Sequence, residues 1–203
     1  MNNATGPVLV LLAAGAGSRF GATKQLTPLQ GEPMLRRAAR IALGSGRPLL
    51  VLGGAQAESV EPSLQGLPLH WHVHRGWADG LGSSIACAIT FVQHEWPHAS
   101  GALLMLADQP QVDLTLLQSL LKMHMDHPAD IVAADYGPRR GPPVLFPRGC
   151  FAALTALQGD RGAQALLLDP PRPLHSVPAP QAAFDIDRPQ DYQQAKQQLE
   201  QSD

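Results

Sequence analysis

The strongest constraint on the fold is an alternation in which short apolar runs are each followed by a longer segment of helical period. "VLVLLA" (8–13), "PLLVLG" (48–53), "LHWHVH" (69–74) and "ALLMLA" (102–107) precede helical segments at 33–44, 55–62, 81–96 and 113–125. Parallel strands need crossover connections, and strands covered by helices on both faces read as continuous apolar runs. The order therefore predicts an α/β fold of three layers, Rossmann-like, with a mostly parallel sheet. In the fourth helical segment Leu114, Leu117, Leu120 and Leu121 recur at three- and four-residue steps, which predicts one buried stripe.

The rhythm changes further on. "DIVAADYG" (130–137) and "GPPVLFP" (141–147) are separated only by a short basic turn at Arg139 and Arg140, so a hairpin is expected and the sheet becomes mixed. A helix at about 149–157, a loop at 158–164, a strand near 174–178 and a polar helix from about 189 complete the reading. The proline-rich "DPPRPLHSVPAP" reads as loop and edge strand, because proline removes a ladder donor. A length of 203 residues suits a single domain over 1–203.

With 15 Lys+Arg against 17 Asp+Glu the formal charge is −2, too small a field to draw in nucleic acid or an anionic membrane. Any phosphate chemistry must be local. Cys87 and Cys150 form no metal spacing and read as buried structural thiols. The start "MNNATGP" has no basic region followed by an apolar stretch, and no window approaches eighteen uninterrupted apolar residues, so a cytoplasmic protein is expected.

In α/β sheets ligands bind beyond the carboxyl ends of the strands. The first such loop carries Gly15, Gly17 and Gly21, which permit close backbone approach to an anion, with Arg19 and Lys24 adding full charges. That composition suits a triphosphate. Phe20 stands where a Walker loop needs its second glycine and where a dinucleotide fingerprint needs its third, which excludes both motifs. Asp108 directly follows an apolar strand at the same edge of the sheet. It is a natural first ligand for Mg²⁺, a hard ion held by one or two carboxylates plus phosphates, or else a turn aspartate before proline.

"LAAGAGSRFGATKQL" (12–26) resembles the LAAGxGxRxGxxK signature of the MobA-like nucleotidyltransferases related to molybdenum cofactor biosynthesis. "WADGLGSSI" (77–85), "LADQP" (106–110), "PPVLF" (142–146), "GDRGAQALL" (159–167) and "DIDRPQD" (185–191) support the match in order, and together most resemble the molybdenum cofactor cytidylyltransferase branch. Pro142 stands where that branch often has His or Asn. LAAG rather than LAGG resembles the cytidine-using branch, since the side chain of Ala14 changes how closely a base approaches.

The resemblance implies transfer of CMP from CTP to the terminal phosphate of molybdopterin or the molybdenum cofactor, with release of pyrophosphate. It assigns Arg19, Lys24 and Asp108 to catalysis. Ala13, Ala14, Gly15, Ala16, Gly17, Arg19, Lys24, Gly82 and Ser83 are assigned to nucleotide binding, and serine at that helix start serves either as a cap or as a partner for a base or acceptor ring. Mg²⁺ is implied on Asp108 and Asp187, with Asp185 as the alternative second ligand and Asp191 capping the last helix. Asp160 and Arg161 fall on an acceptor-side loop, or on a solvated turn. A molybdoenzyme or its chaperone is the implied protein partner, with no nucleic acid and no membrane. The alternatives are a guanylyltransferase, an NTP transferase with another phosphorylated acceptor, or a non-catalytic nucleotide-binding protein.

His70, His72 and His74 would share one face of a strand, and a partly exposed edge is preferred over a three-histidine metal site. His94, His98, His124 and His127 lie at helix ends or loops and are expected to be solvated.

Overall fold

The computed structural model describes residues 5–15, 20 and 23–200. In chain order the strands and helices are β1 (Val8–Ala13), β2 (Pro28–Leu29), β3 (Glu32–Pro33), α1 (Met34–Leu43), β4 (Leu49–Gly53), α2 (Ala57–Val60), β5 (His70–Val73) and α3 (Leu81–Glu95). There follow β6 (Gly101–Leu106), α4 (Leu114–Asp126), β7 (Ile131–Asp135), β8 (Arg140–Pro147), α5 (Phe151–Thr155), α6 (Ala165–Leu168), β9 (Leu174–Pro178) and α7 (Pro189–Glu200). The main sheet has seven strands in the order β5-β4-β1-β6-β8-β7-β9. All its pairings are parallel except those of β8, which runs against both β6 and β7. The fold is the expected three-layer, mostly parallel mixed sheet, and β7 and β8 are the expected hairpin.

The pleat of β1 explains the layers. Leu9, Leu11 and Ala13 enter one core with Leu35 and Ala39 of α1 and Leu117 and Leu120 of α4. Val8, Val10 and Leu12 enter the opposite core with Ile85, Ile89 and Val92 of α3 and Phe151 and Leu154 of α5. Successive side chains of one strand point to opposite faces, so a run that is apolar at every position must be covered on both. The buried stripe of α4 comprises Leu116, Leu117, Leu120 and Leu121. Leu114, expected in that stripe, is the first residue of the helix and only half-buried beside Gly44, while Leu116 is buried and takes its backbone cap from Asp113 at 2.8 Å.

Two segments are shorter than the periodicity suggested. α2 is one turn that passes into a 3-10 turn at Glu61–Leu64, where Pro62 has no N–H to continue an α-helix. α5 likewise spans only Phe151–Thr155. The two-residue strands β2 and β3 were not expected. They close over Gln30 and Gly31 at φ +50° and +82°, the left-handed pair that a tight hairpin requires. This hairpin and the start of α1 dock α7, because Leu29 and Met34 pack with Ile186, Ala195 and Leu199. Among the described residues no helix is long and apolar enough to cross a membrane.

Candidate active site

The connections from β1 and β4 run to one side of β1, while β6 returns on its other side, which makes a switch point between β1 and β6. In α/β sheets a ligand crevice opens at such a switch point, at the carboxyl ends of the strands. A cleft of about 410 Å³ occupies this place, floored by Ala13, Ala14 and Gly15 and walled by Lys24, Ser84 and Asp108. Ala16, Gly17 and Arg19 lie outside the described residues. Gln25 spans the turn from below, its Nε2 donating to the carbonyls of Ala13 at 3.3 Å and Gly15 at 3.1 Å. Its Oε1 is buried with no hydrogen-bond partner among the described residues. Ala14 packs on Gly54, where a Cβ would come within 2.8 Å of the Ala14 Cβ.

The start of α3 is arranged differently from the sequence reading. Gly82 and Ser83 do not line the cleft, whereas Gly80, Leu81 and Ser84 do. A Cβ on Gly82 would lie 2.8 Å from the carbonyl oxygen of Gln158, so this glycine lets the 158–160 loop press onto the helix. Ser83 Oγ donates to the carbonyl of Gly80 at 2.8 Å and lies 3.1 Å from His74 Nε2. Neither Ser83 nor Ser84 caps the helix through its side chain; both donate back to the Gly80 carbonyl.

At the cleft's other wall two carboxylates hold one ammonium. Lys24 Nζ donates to Asp108 Oδ2 at 2.8 Å and to Asp187 Oδ1 at 3.3 Å, with only 11 % of its side chain exposed. Burial by itself would depress the Lys24 pKa, but the charges of Asp108 and Asp187 outweigh it and hold the ammonium above the usual lysine value. Asp185 lies close by, and burial, followed by repulsion from Asp108 and Asp187, pushes its carboxyl up to about 6. Backbone contacts set the arrangement: Ile186 N–H donates to the Asp108 carbonyl at 2.9 Å. Asp191, in the first turn of α7, accepts from the N–H groups of Asp187 and Arg188 at 2.9 and 2.7 Å, the expected cap. Asp108 Oδ1 is buried and has no hydrogen-bond partner among the described residues. An orphaned carboxylate oxygen beside a second carboxylate, with a cation already held between them, fits a divalent ion such as Mg²⁺ or Mn²⁺.

A second cavity of about 200 Å³ adjoins the first and shares Leu12, Leu81 and Leu106 with it. Arg139, Arg140 and Arg161 line it, together with Asp185 and the apolar side chains of Ile85, Val144 and Phe146. Gln109 Nε2 donates to the Tyr136 hydroxyl at 3.0 Å and to the Ala182 carbonyl at 2.7 Å, and the Tyr136 hydroxyl donates to the Pro142 carbonyl. Burial pushes the Tyr136 phenol up to about 12, which keeps it a neutral donor. Gly141 accommodates the Tyr136 ring, which a Cβ would meet at 2.7 Å. Asp160 lines the first cavity and Arg161 the second, so the 158–164 loop bridges them.

Sequence reading had not singled out Gln25, Gln109 or Tyr136. Only their position beside motif residues signalled them, since an amide or phenol gives no periodicity. His70 packs edge-on to Trp96 at 4.6 Å and His72 lies 4.7 Å from Phe91, as suits an edge strand. His124 departs from expectation: it is 2 % exposed and its Nε2 lies 3.1 Å from Ser100 Oγ. Cys150 is buried, whereas Cys87 is only half-buried.

Residues 9–175 match the MobA-like NTP transferase domain. The chain belongs to the MobA-like NTP transferase family. It is similar to nicotine blue oxidoreductase of Paenarthrobacter nicotinovorans, 33 % identical over 172 residues that cover 80 % of this chain and 81 % of that one. It is also similar to the purine catabolism protein PucB of Bacillus subtilis, 31 % identical over 167 residues and 78 % of each chain. The crystal structure of Rv0371c from Mycobacterium tuberculosis H37Rv superposes with a TM-score of 0.81 at 28 % identity, covering 97 % of this chain and all (100 %) of that one. Rv0371c has also been solved as a complex with manganese, at a TM-score of 0.74, 28 % identity and coverage of 96 % and 99 %. This MobA-like NTP transferase thus has solved relatives along nearly its whole length.

Proposed function

We propose that this MobA-like NTP transferase moves CMP from CTP to the terminal phosphate of molybdopterin or the molybdenum cofactor. The observation that carries the reading is the adjacency of two cavities. One has a small-residue floor, Lys24 and the Asp108–Asp187 pair; the other is lined by Arg139, Arg140 and Arg161 against apolar side chains. A triphosphate suits the first. A ring system bearing a phosphate suits the second, because guanidinium groups recognise phosphate while the apolar wall accepts a flat ring.

In the reaction an oxygen of the acceptor phosphate attacks the α-phosphorus of CTP. A new P–O bond forms, the bond to the bridging oxygen of the β-phosphate breaks, and pyrophosphate leaves with that electron pair. The protein's contribution is positioning and charge complementarity. Lys24 orients the Asp108 and Asp187 carboxylates and faces the triphosphate, the Ala13–Gly15 backbone approaches it, and Arg19 adds charge. Asp108 and Asp187 would hold Mg²⁺, which when bound neutralises phosphate charge. Gln109 and Tyr136 keep the 139–144 hairpin in register beside the reacting phosphate.

The test is pyrophosphate release with each NTP in the presence of molybdopterin or molybdenum cofactor. A kcat/KM highest with CTP is expected. A preference for GTP would move the assignment to a guanylyltransferase.

A further inference from the structure

Three metal-ligating side chains meet at the other end of the sheet from the cleft. His127 ends α4, Asp130 immediately precedes β7, and His175 belongs to the edge strand β9. The β7–β9 register pairs Val132 with His175, so Asp130, two residues before Val132, lies on the same face one diagonal step away. That face is the one α4 covers, since Val132 packs with Leu117 and Leu120. The turn between helix and strand sets the other two groups: His127 N–H donates to the Met123 carbonyl at 3.0 Å, and the His127 carbonyl accepts from Asp130 N–H at 3.1 Å.

The side chains converge on one carboxylate oxygen. His175 Nε2 lies 2.9 Å from Asp130 Oδ2 and His127 Nδ1 lies 3.9 Å from the same atom. The two imidazoles stack with centroids 4.0 Å apart at an interplanar angle of 19°. One ligand atom from each of the three residues lies within 4.8 Å of the others.

We infer that His127, Asp130 and His175 form a binding site for a divalent transition ion of the zinc class. Two imidazoles and one carboxylate are a donor set that favours Zn²⁺, Co²⁺ or Ni²⁺ over Mg²⁺, which takes oxygen ligands. The present separations bracket the roughly 3.3 Å expected between ligand atoms each about 2.0–2.1 Å from a tetrahedral zinc. Reaching that spacing requires side-chain rotation that opens the His127–His175 stack, on backbones that the helix end, the turn and the strand ladder hold in place. Side-chain exposures of 42 % for His127, 20 % for Asp130 and 32 % for His175 give an ion access and leave water the remaining position. The bound ion would clamp the end of α4 to the sheet's edge strand. It is separate from the nucleotide cleft: the β6–β8 and β8–β7 registers set residue 130 level with Gly101 at the start of β6, whereas Asp108 lies past its end. At about 3.3 Å per strand residue that is roughly 20 Å.

The experiment is titration of the ¹⁵N-histidine-labelled protein with Zn²⁺ alone, followed in ring-nitrogen spectra, with calorimetry on the parent, His127→Ala and His175→Ala. The His127 and His175 resonances are expected to shift together and saturate at one ion per chain. Each alanine variant should lose that equivalent, with affinity reduced by more than the ~10–100-fold that removing a group behind a metal ligand costs. Melting without metal checks that the variants fold, and the parent spectra stand even if one does not. Rings that do not respond to Zn²⁺, that shift without saturating, or an unchanged stoichiometry in His175→Ala would each overturn the site.

Discussion

The backbone N–H of Ile186 donates to the carbonyl of Asp108 across 2.9 Å, joining the loop after β6 to the segment before α7. These loops are far apart in sequence, and the Asp108 and Asp187 carboxylates beside this bond both reach the Lys24 ammonium. The geometry makes the first two expectations specific.

Asp108→Asn keeps the shape of the side chain and removes its charge. Pyrophosphate release should fall by roughly 10²–10³, the scale of losing one preorganised electrostatic group. Stability should change by no more than about 1 kcal/mol, because Lys24 loses its nearer partner while repulsion from Asp185 and Asp187 is relieved. Turnover within threefold of the parent would remove Asp108 from the metal site.

Lys24→Ala should separate two quantities that usually move together. Turnover should drop by roughly 10²–10³, yet Mn²⁺ should bind more tightly, since the competing ammonium between Asp108 and Asp187 is gone. Calorimetric titration with Mn²⁺ in the absence of nucleotide checks this. Weaker binding in the variant would mean that the lysine supports the ion rather than standing in its place.

At the start of α3, Gly82→Ala should act on stability, because its Cβ would meet the Gln158 carbonyl oxygen at 2.8 Å. A loss of about 1–3 kcal/mol in urea unfolding is expected. Ser84→Ala should weaken nucleotide binding by roughly 2–10-fold, the worth of one neutral hydrogen bond, and Ser83→Ala should change it by less than about twofold. The reverse order of the two serines would support the sequence-based assignment of Ser83 to nucleotide binding.

The pH dependence of stability is expected to report His124. Its pKa is lowered, by burial first and then by the Arg47 charge, so the folded state keeps the ring neutral. A depressed folded pKa means that the unfolded chain binds the extra proton. The associated stability is present above the unfolded value of about 6.5 and is lost as pH falls through the folded pKa. Urea unfolding at pH 7.5 and pH 5 should therefore show a larger acid loss for the parent than for His124→Gln. Equal losses would show that this imidazole does not contribute.

The order of strands and helices, the break into a hairpin at 131–147 and the acidic residue at the end of β6 were legible in the sequence. Each rests on local rules: periodicity of two or 3.6, proline placement and short turns. Sequence also marked the loop after β1 and the 185–191 segment as candidate site segments, through their motifs. Tertiary structure decided what those motifs touch. That Lys24 bonds to carboxylates 84 and 163 residues away, that Ser84 rather than Ser83 reaches the cleft, and that Tyr136 is held by Gln109 follow from crossovers and strand register. His127, Asp130 and His175 make the same point. Their spacing signals nothing along the chain, and they meet only because β9 pairs with β7 while α4 ends above that pair, an outcome of long-range packing that no local pattern encodes.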